Sequence, residues 1–340
     1  IDPAQTDDDY PQKQFNAVTY TGNASTNAIT GVGFRPDLVI CKVTNTSSNA
    51  PIVDSSRGAN KVLFTTVSNG EVTSADISSF DSDGFTLTGT GSYDANFNGS
   101  SNSYVAWCWK AGGGSTSSNS NGSITSSVQS STAGGFSIIT YTGTGSNATI
   151  GHGLSAKPDF IMFKRRETIA QNWKCYHSGI GATKVLTLNT TTSAETVSGM
   201  FNNTEPTSSV ITIGNESNTN TGSTDHIAYC WHSVEGYSKF GTYYGLGGGN
   251  SATDNTFVYT GFRPRLIFLK NTGSASSWIV YDTEQKKFNP MTVGTTWNED
   301  GASFDTTNYA IDILSNGWKF RTGNATINSA HTWIYGAWGD

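Results

Sequence analysis

Short apolar runs alternate along the chain with longer stretches of Ser, Thr, Asn and Gly. The clearest runs are Leu38-Val39-Ile40-Cys41, Phe160-Ile161-Met162-Phe163 and Leu266-Ile267-Phe268-Leu269. A strand with one wet face alternates apolar with polar residues, and these do not, so they predict strands covered on both faces. The closing runs AWCW and AYCW have the same character. Turn signals lie between the runs. Asp83-Gly84 in FDSDGFTL and Asn316-Gly317 in ILSNGWKF are two-residue hairpin signals flanked by apolar residues, and Asn69-Gly70 is a weaker one. No segment carries a helical period with a cap and a stop. Short strands with frequent turns predict an all-β chain of antiparallel sandwiches.

One phrase occurs in three versions. Residues 33–42 read GFRPDLVICK, residues 155–164 read SAKPDFIMFK and residues 261–270 read GFRPRLIFLK. Gly33, Phe34 and Pro36 answer to Gly261, Phe262 and Pro264, and Pro158 is the counterpart in the middle copy. Each proline sits where a strand begins, the place at which a missing N–H costs least. An opening segment precedes each phrase: FNAVTYTG from Phe15, FSIITYTG from Phe136 and the shortened FGTYYG from Phe240. A closing segment ends each copy: YVAWCWK with Trp107 and Trp109, HIAYCWH with Trp231, and TWIYGAW with Trp338. The period is roughly a hundred residues, a domain length rather than a solenoid length.

These marks divide the chain into an N-terminal arm (1–14), a first module (15–112), a Gly/Ser/Thr linker (113–135), a second module (136–236) and a third (237–340). The linker reads as loose, although SITSSVQ within it can pair as an edge strand. No such stretch separates the second and third modules. They are therefore expected to pack rigidly, with the first better able to move. A lone sandwich covers one face of an apolar strand. The second face of the first module's strands then predicts a partner subunit, a homo-oligomer and a trimer if the chain forms a fibre.

Composition narrows the function. Charged residues make up 14% and the formal net charge is −6, so a nucleic-acid surface with clustered Lys and Arg is excluded. The basic runs Lys164-Arg165-Arg166 and Lys286-Lys287 read as solvated turns. No apolar stretch approaches the roughly 20 residues that cross a bilayer. The chain opens at Ile1 with neither Met nor a signal peptide, which reads as a processed product or a piece of something longer. An aromatic content of 12%, with 9 Trp, argues for a packed core over disorder. Cys41, Cys108, Cys175 and Cys230 form no CxxC pair and lie in apolar runs. They are expected to be reduced and buried, with disulfides an open alternative.

Candidate chemistry is sparse. Asp54 and Asp282 follow apolar runs at matching places in copies one and three, where copy two has Tyr176-His177. A glycosidase needs two carboxylates about one bond, and a recurring position is more simply a strand end. His226 and His232 stand on one strand, too far apart to share a metal, and Asp7-Asp8-Asp9 is a loose calcium candidate. No cofactor is expected and the chain is read as a non-enzyme. Trp173 and Trp278 occupy matching strands and read as core. Trp297, in TTWNEDGASF, reads as a surface ring for a receptor or glycan.

The order FNAVTYTGN, ITGVGFRPDLV, DSSRG, FDSDGFTL, YVAWCWKAGG, FSIITYTG, GHGLSAKPDF, VEGYSKFG, FVYTGFRPRLIFLK, ILSNGWKFR resembles repeat modules in virion structural proteins of marine tailed phages, cyanophages among them. The resemblance runs from about Phe15 to Trp338. It implies a tail-fibre, spike or surface-appendage protein, assembled in the host cytoplasm and displayed on the virion. The implied partners are itself, other virion proteins and a host surface glycan. A lectin-like sandwich commonly stands upstream in that family, and IDPAQTDDDYPQKQ resembles the linker leaving it. The family usually ends its last strand with an acidic–proline tail, whereas this chain stops at AWGD, which reads as a truncated end. A capsid or filament subunit without a receptor role, and a carbohydrate-binding module of a depolymerase, are the alternatives.

Overall fold

In a computed structural model that describes residues 10–249 and 255–339, each of these runs is a strand. The opening strands are Phe15–Thr21, Phe136–Thr142 and Ser238–Tyr244. The phrase strands are Leu38–Val43, Phe160–Arg165 and Pro264–Asn271, and the closing strands are Ser103–Trp109, Asp225–Trp231 and Thr332–Gly339. In every module the closing strand lies antiparallel between the other two. The registers agree. Trp109 stands opposite Phe15 and Leu38, Trp231 opposite Phe136 and Phe160, and Trp338 opposite Ser238 and Leu266.

The first and third modules share one strand order, a six-stranded sheet facing a three-stranded one. The outer strands of the large sheets end at Asp54 and Asp282, Phe64 and Thr296, Thr73 and Asp305. Both two-residue hairpins form, Asp81 pairing Gly84 and Leu314 pairing Gly317. Glycine is required at each: φ is 151° and 154°, and an added Cβ would meet the carbonyl oxygen of Ile29 at 1.9 Å or of Val258 at 2.0 Å. Asn69-Gly70 makes no such turn. Gly70 lies so close to the Glu167 backbone of the second module that a Cβ would come within 1.6 Å of its carbonyl oxygen.

The second module departs from this plan, and the departure corrects the reading of 113–135 as a linker. Ser117–Asn119 and Ser126–Ser131 are strands, added beside Phe136–Thr142 to make an eight-stranded sheet. Alternation hidden in the Ser-rich sequence explains it. Val128 enters the sandwich core with Ile139 and Tyr141, while Gln129 donates to Ser55 and Ser56 of the first module at 3.0 and 2.8 Å.

Each sandwich has its own core: Val39, Cys41 and Phe85 in the first, Ile161, Phe163 and Phe201 in the second, Ile267, Leu269 and Trp318 in the third. The other faces of the three large sheets meet one another in a fourth core, which draws Leu38, Trp107, Phe160, Tyr229, Leu266 and Phe268 from all three modules. At its centre Trp109, Trp231 and Trp338 pack edge-to-face in a triangle, with centroid distances of 5.8, 5.4 and 6.0 Å. Their indole N–H groups are buried with no oxygen or nitrogen acceptor among the described residues. The negative face of a neighbouring ring is the counterpart this packing offers.

The second face of every phrase strand is therefore covered within the chain. The premise for a partner subunit is removed, and the first module packs against the other two instead of being set off by a linker. Asp7-Asp8-Asp9 lies outside the described residues. The rest of the arm makes a short 3-10 turn, Pro11–Lys13, and Lys13 donates to the Gly33 carbonyl at 3.1 Å.

Candidate functional site: three joints and one cleft

The lysine that ends each phrase marks the joints. Lys42, Lys164 and Lys270 are fully buried. Each ammonium donates to a carbonyl of its own module and to one of a neighbour. Lys42 reaches Ser48 at 3.5 Å and Glu299 at 2.6 Å. Lys164 reaches Gln171, and Ser68 at 2.7 Å. Lys270 reaches Ser276, and Thr191 at 3.0 Å. The links run first to third, third to second and second to first, so the ring closes. Burial pushes the three amines down, to about 8, about 7 and about 8. The run Lys164-Arg165-Arg166 is thus a joint and not a solvated turn, with Arg165 also buried.

Trp173 and Trp278 are core, as expected, and donate across their joints to Phe64 and Thr187 at 2.8 and 3.0 Å. The first module has Ala50 at that position, since Thr65, Leu188 and Trp297 donate their amides to Ala50, Trp173 and Trp278. The ring missing at Ala50 is supplied from the other side by Trp297. This corrects its reading as a surface ring. Trp297 is 2% exposed, lies edge-on to Trp107 at 6.2 Å, and its carbonyl accepts from Thr65 at 2.8 Å.

Asp54, His177 and Asp282 do occupy one equivalent position, opposite Leu38, Phe160 and Leu266. All three are buried and link the ring in the opposite sense. Asp54 accepts from Tyr229 of the second module at 2.7 Å and from Arg57, whose side chain is also fully buried. The carboxylates of Asp54 and Glu71 hold the Arg57 guanidinium firmly in its charged form against burial. His177 donates from Nε2 to the Tyr335 carbonyl of the third module at 3.0 Å and accepts at Nδ1 from Gly179. Asp282 accepts from Trp107 of the first module at 3.3 Å and from Gln285, with no ion-pair partner among the described residues, and burial raises its carboxyl above the usual range. The two carboxylates tested as a catalytic pair therefore face different joints, and both are buried.

A third set of links is main-chain. Glu71, Ala194 and Ser303 donate their amides to the carbonyls of Arg166, Thr272 and Thr44. Beside the first of these, Arg166 forks onto Glu71 at 2.8 and 3.1 Å and fills the joint. Beside the last, Thr44 and Ser303 stand in place of that pair and leave an open cleft of about 460 Å3. Thr19, Thr21 and Ser103 form one wall and Glu284 and Gln285 the other. A second polar groove of about 400 Å3 lies along Thr140–Thr142 and the strand Ser126–Ser131.

The remaining signature residues are structural. Gly33 and Gly261 have φ of 86° and 95°, Phe34 and Phe262 enter the two sandwich cores, and Pro36, Pro158 and Pro264 are buried at the strand starts. All four cysteines are buried and unpaired, and burial raises the Cys41 thiol to about 12. His226 and His232 are buried, and no group of three His, Cys, Asp or Glu among the described residues is placed to hold a metal. Sequence reasoning missed the three lysines. Their signal was a lysine directly after each of three four-residue apolar runs, at 38–41, 160–163 and 266–269.

No curated protein and no solved structure matches the chain. One family model matches residues 10–340, running undivided through all three modules, so the chain belongs to the family described as Domain of unknown function (DUF7483).

Proposed function

We propose that the chain is a non-catalytic structural element of a phage virion, part of a tail fibre, spike or surface appendage. The phage assignment rests on the resemblance of its repeated motifs. The observation that carries the non-catalytic reading is the use made of Asp54, His177 and Asp282. The position where an enzyme of this plan would expose acid and base instead seals three joints. A role as a structural subunit without receptor contact gains from the burial of all nine tryptophans, because no indole is left to stack on a sugar. Antibodies raised against the purified chain test the assignment on intact particles. Gold label at one fixed place on the virion is the expected result. Unlabelled particles, or hydrolysis of a host-surface polysaccharide by the purified chain, overturn the reading.

A further inference from the structure

The three opening strands are equivalent in register but not in what lies along their free edges. The Gly22 amide donates to Asn102, which turns the even-numbered residues of Phe15–Thr21 toward the closing strand. Ala17, Thr19 and Thr21 therefore present their main-chain groups outward. In the second module the matching residues, Ile138 and Thr140, pair with Gln129 and Ser127 of the chain's own added strand. In the third, the second module closes in. A Cβ on Gly179 would meet Thr242 Cγ2 at 2.4 Å, and the Phe240 amide is taken by Ser233 at 3.1 Å. The first module combines a free edge with an open cleft. Ala17 is guarded there, its carbonyl by Arg265 at 3.1 Å and its amide by Asn16 at 2.9 Å. The amide and carbonyl of Thr19 have no partner among the described residues.

We propose that this edge docks an extended, uncharged, hydroxyl-rich segment of another polypeptide, which adds a strand at Thr19 as Ser126–Ser131 does at Thr140. The filled edge sets the chemistry, because Ser-Ser-Val-Gln-Ser-Ser carries no charge. The cleft recruits no ion either, since Glu284 is matched by Arg265 at 3.2 Å and Lys287 at 3.4 Å. A saccharide needs a free ring face. Tyr20, the half-buried ring beside the cleft, is stacked on Tyr104 at 5.0 Å and 7°, with its hydroxyl donated to Phe97. Main-chain hydrogen bonds supply the affinity in such a mode and the walls supply the register. Arg265 ends the paired stretch at Ala17, so docking is short and reversible. The docking rests on the edge and its cleft and stands whether or not the virion reading holds.

The probe is a labelled synthetic peptide of the chain's own residues 124–132, ITSSVQSST, added to the full chain. Amide hydrogen exchange at Thr19 and Thr21 is expected to slow about tenfold at saturating peptide, with Thr140 unchanged. Replacing Arg265→Ala is expected to lengthen the paired stretch and tighten binding several-fold. Replacing Thr19→Pro removes the outward amide at an edge that tolerates proline, and is expected to abolish the rise in peptide anisotropy. Unchanged exchange at Thr19 overturns the proposal. So does undiminished binding by a natively folded Thr19→Pro chain, or slowed exchange with a neutral oligosaccharide but not with the peptide.

Discussion

The joint between the first and second modules and the joint between the third and first share a backbone and differ in everything hung on it. The former is built from charge, with Asp54, Arg57, Glu71 and Arg166 in one chain of ion pairs. The latter is built from rings and small hydroxyls, Trp107 against Trp297 with Thr44 and Ser303 beside an open cleft. The equivalent lysines and main-chain links persist in both. The difference teaches that main chain and lysine hold the ring closed, which leaves the side chains of each joint free to diverge.

The largest expected effect tests what both joints share. Trp231→Ala removes one side of the central triangle and is expected to cost about 4 kcal/mol. Urea unfolding should still show a single transition, because the triangle belongs to all three modules. Separate module transitions would show that the joints are weaker than their burial implies. The charged joint comes next. Asp54→Ala leaves the buried Arg57 with Glu71 as its one carboxylate and is expected to cost about 3 kcal/mol. Asp282→Asn, which breaks no ion pair among the described residues, is expected to cost about 1 kcal/mol, since one oxygen that accepts from Trp107 and Gln285 is lost while the other keeps the Glu284 and Gln285 amides. Equal costs in paired urea titrations would erase the distinction between the joints.

Acid probes the joint that neither of these touches. His177 is held neutral between Tyr335 and Gly179, and burial lowers it from 6.5 to about 4. His152 and His226 are lowered likewise, to about 4 each. Above the ordinary histidine value both folded and unfolded chains are neutral at these sites. Below it the unfolded chain takes up protons that the folded chain refuses, so stability falls from pH 6.5 to about 4. Each histidine should contribute about 2 kcal/mol to that loss. His177→Gln should flatten the fall when melting is followed across this range. The smallest effect sharpens the comparison most directly. Thr44→Arg with Ser303→Glu transplants the Arg166–Glu71 plug into the cleft. The double variant should gain about 0.5 kcal/mol and lose the exchange protection that the peptide gives at Thr19.

Much of the fold was legible in the residues. Unbroken apolar runs announced strands with two covered faces, and Asp83-Gly84 and Asn316-Gly317 placed their hairpins correctly. What covers those faces was not legible, because period and spacing fix which side is apolar but not which neighbour lies on it. The added strand Ser126–Ser131 was legible only as the pairing that SITSSVQ allows, because Val128 and Gln129 alone carry its pattern among serines. Trp297 was misplaced for a related reason. Its local sequence is polar, and its burial depends on the first module, where Ala50 leaves a ring to be supplied. Asp54 and Asp282 were correctly paired by position, but a carboxylate after an apolar run looks the same whether it faces substrate or a neighbouring module.

The triangle of Trp109, Trp231 and Trp338 has a consequence for dilution. Three separate subunits meeting at such a triangle would part as their concentration fell, because association is a third-order balance between free and assembled forms. Here the peptide chain tethers all three, and each module meets the others at an effective concentration fixed by chain length alone. The closed ring is consequently indifferent to how little of the protein is present, and its melting temperature should not shift on dilution as that of a separable trimer does.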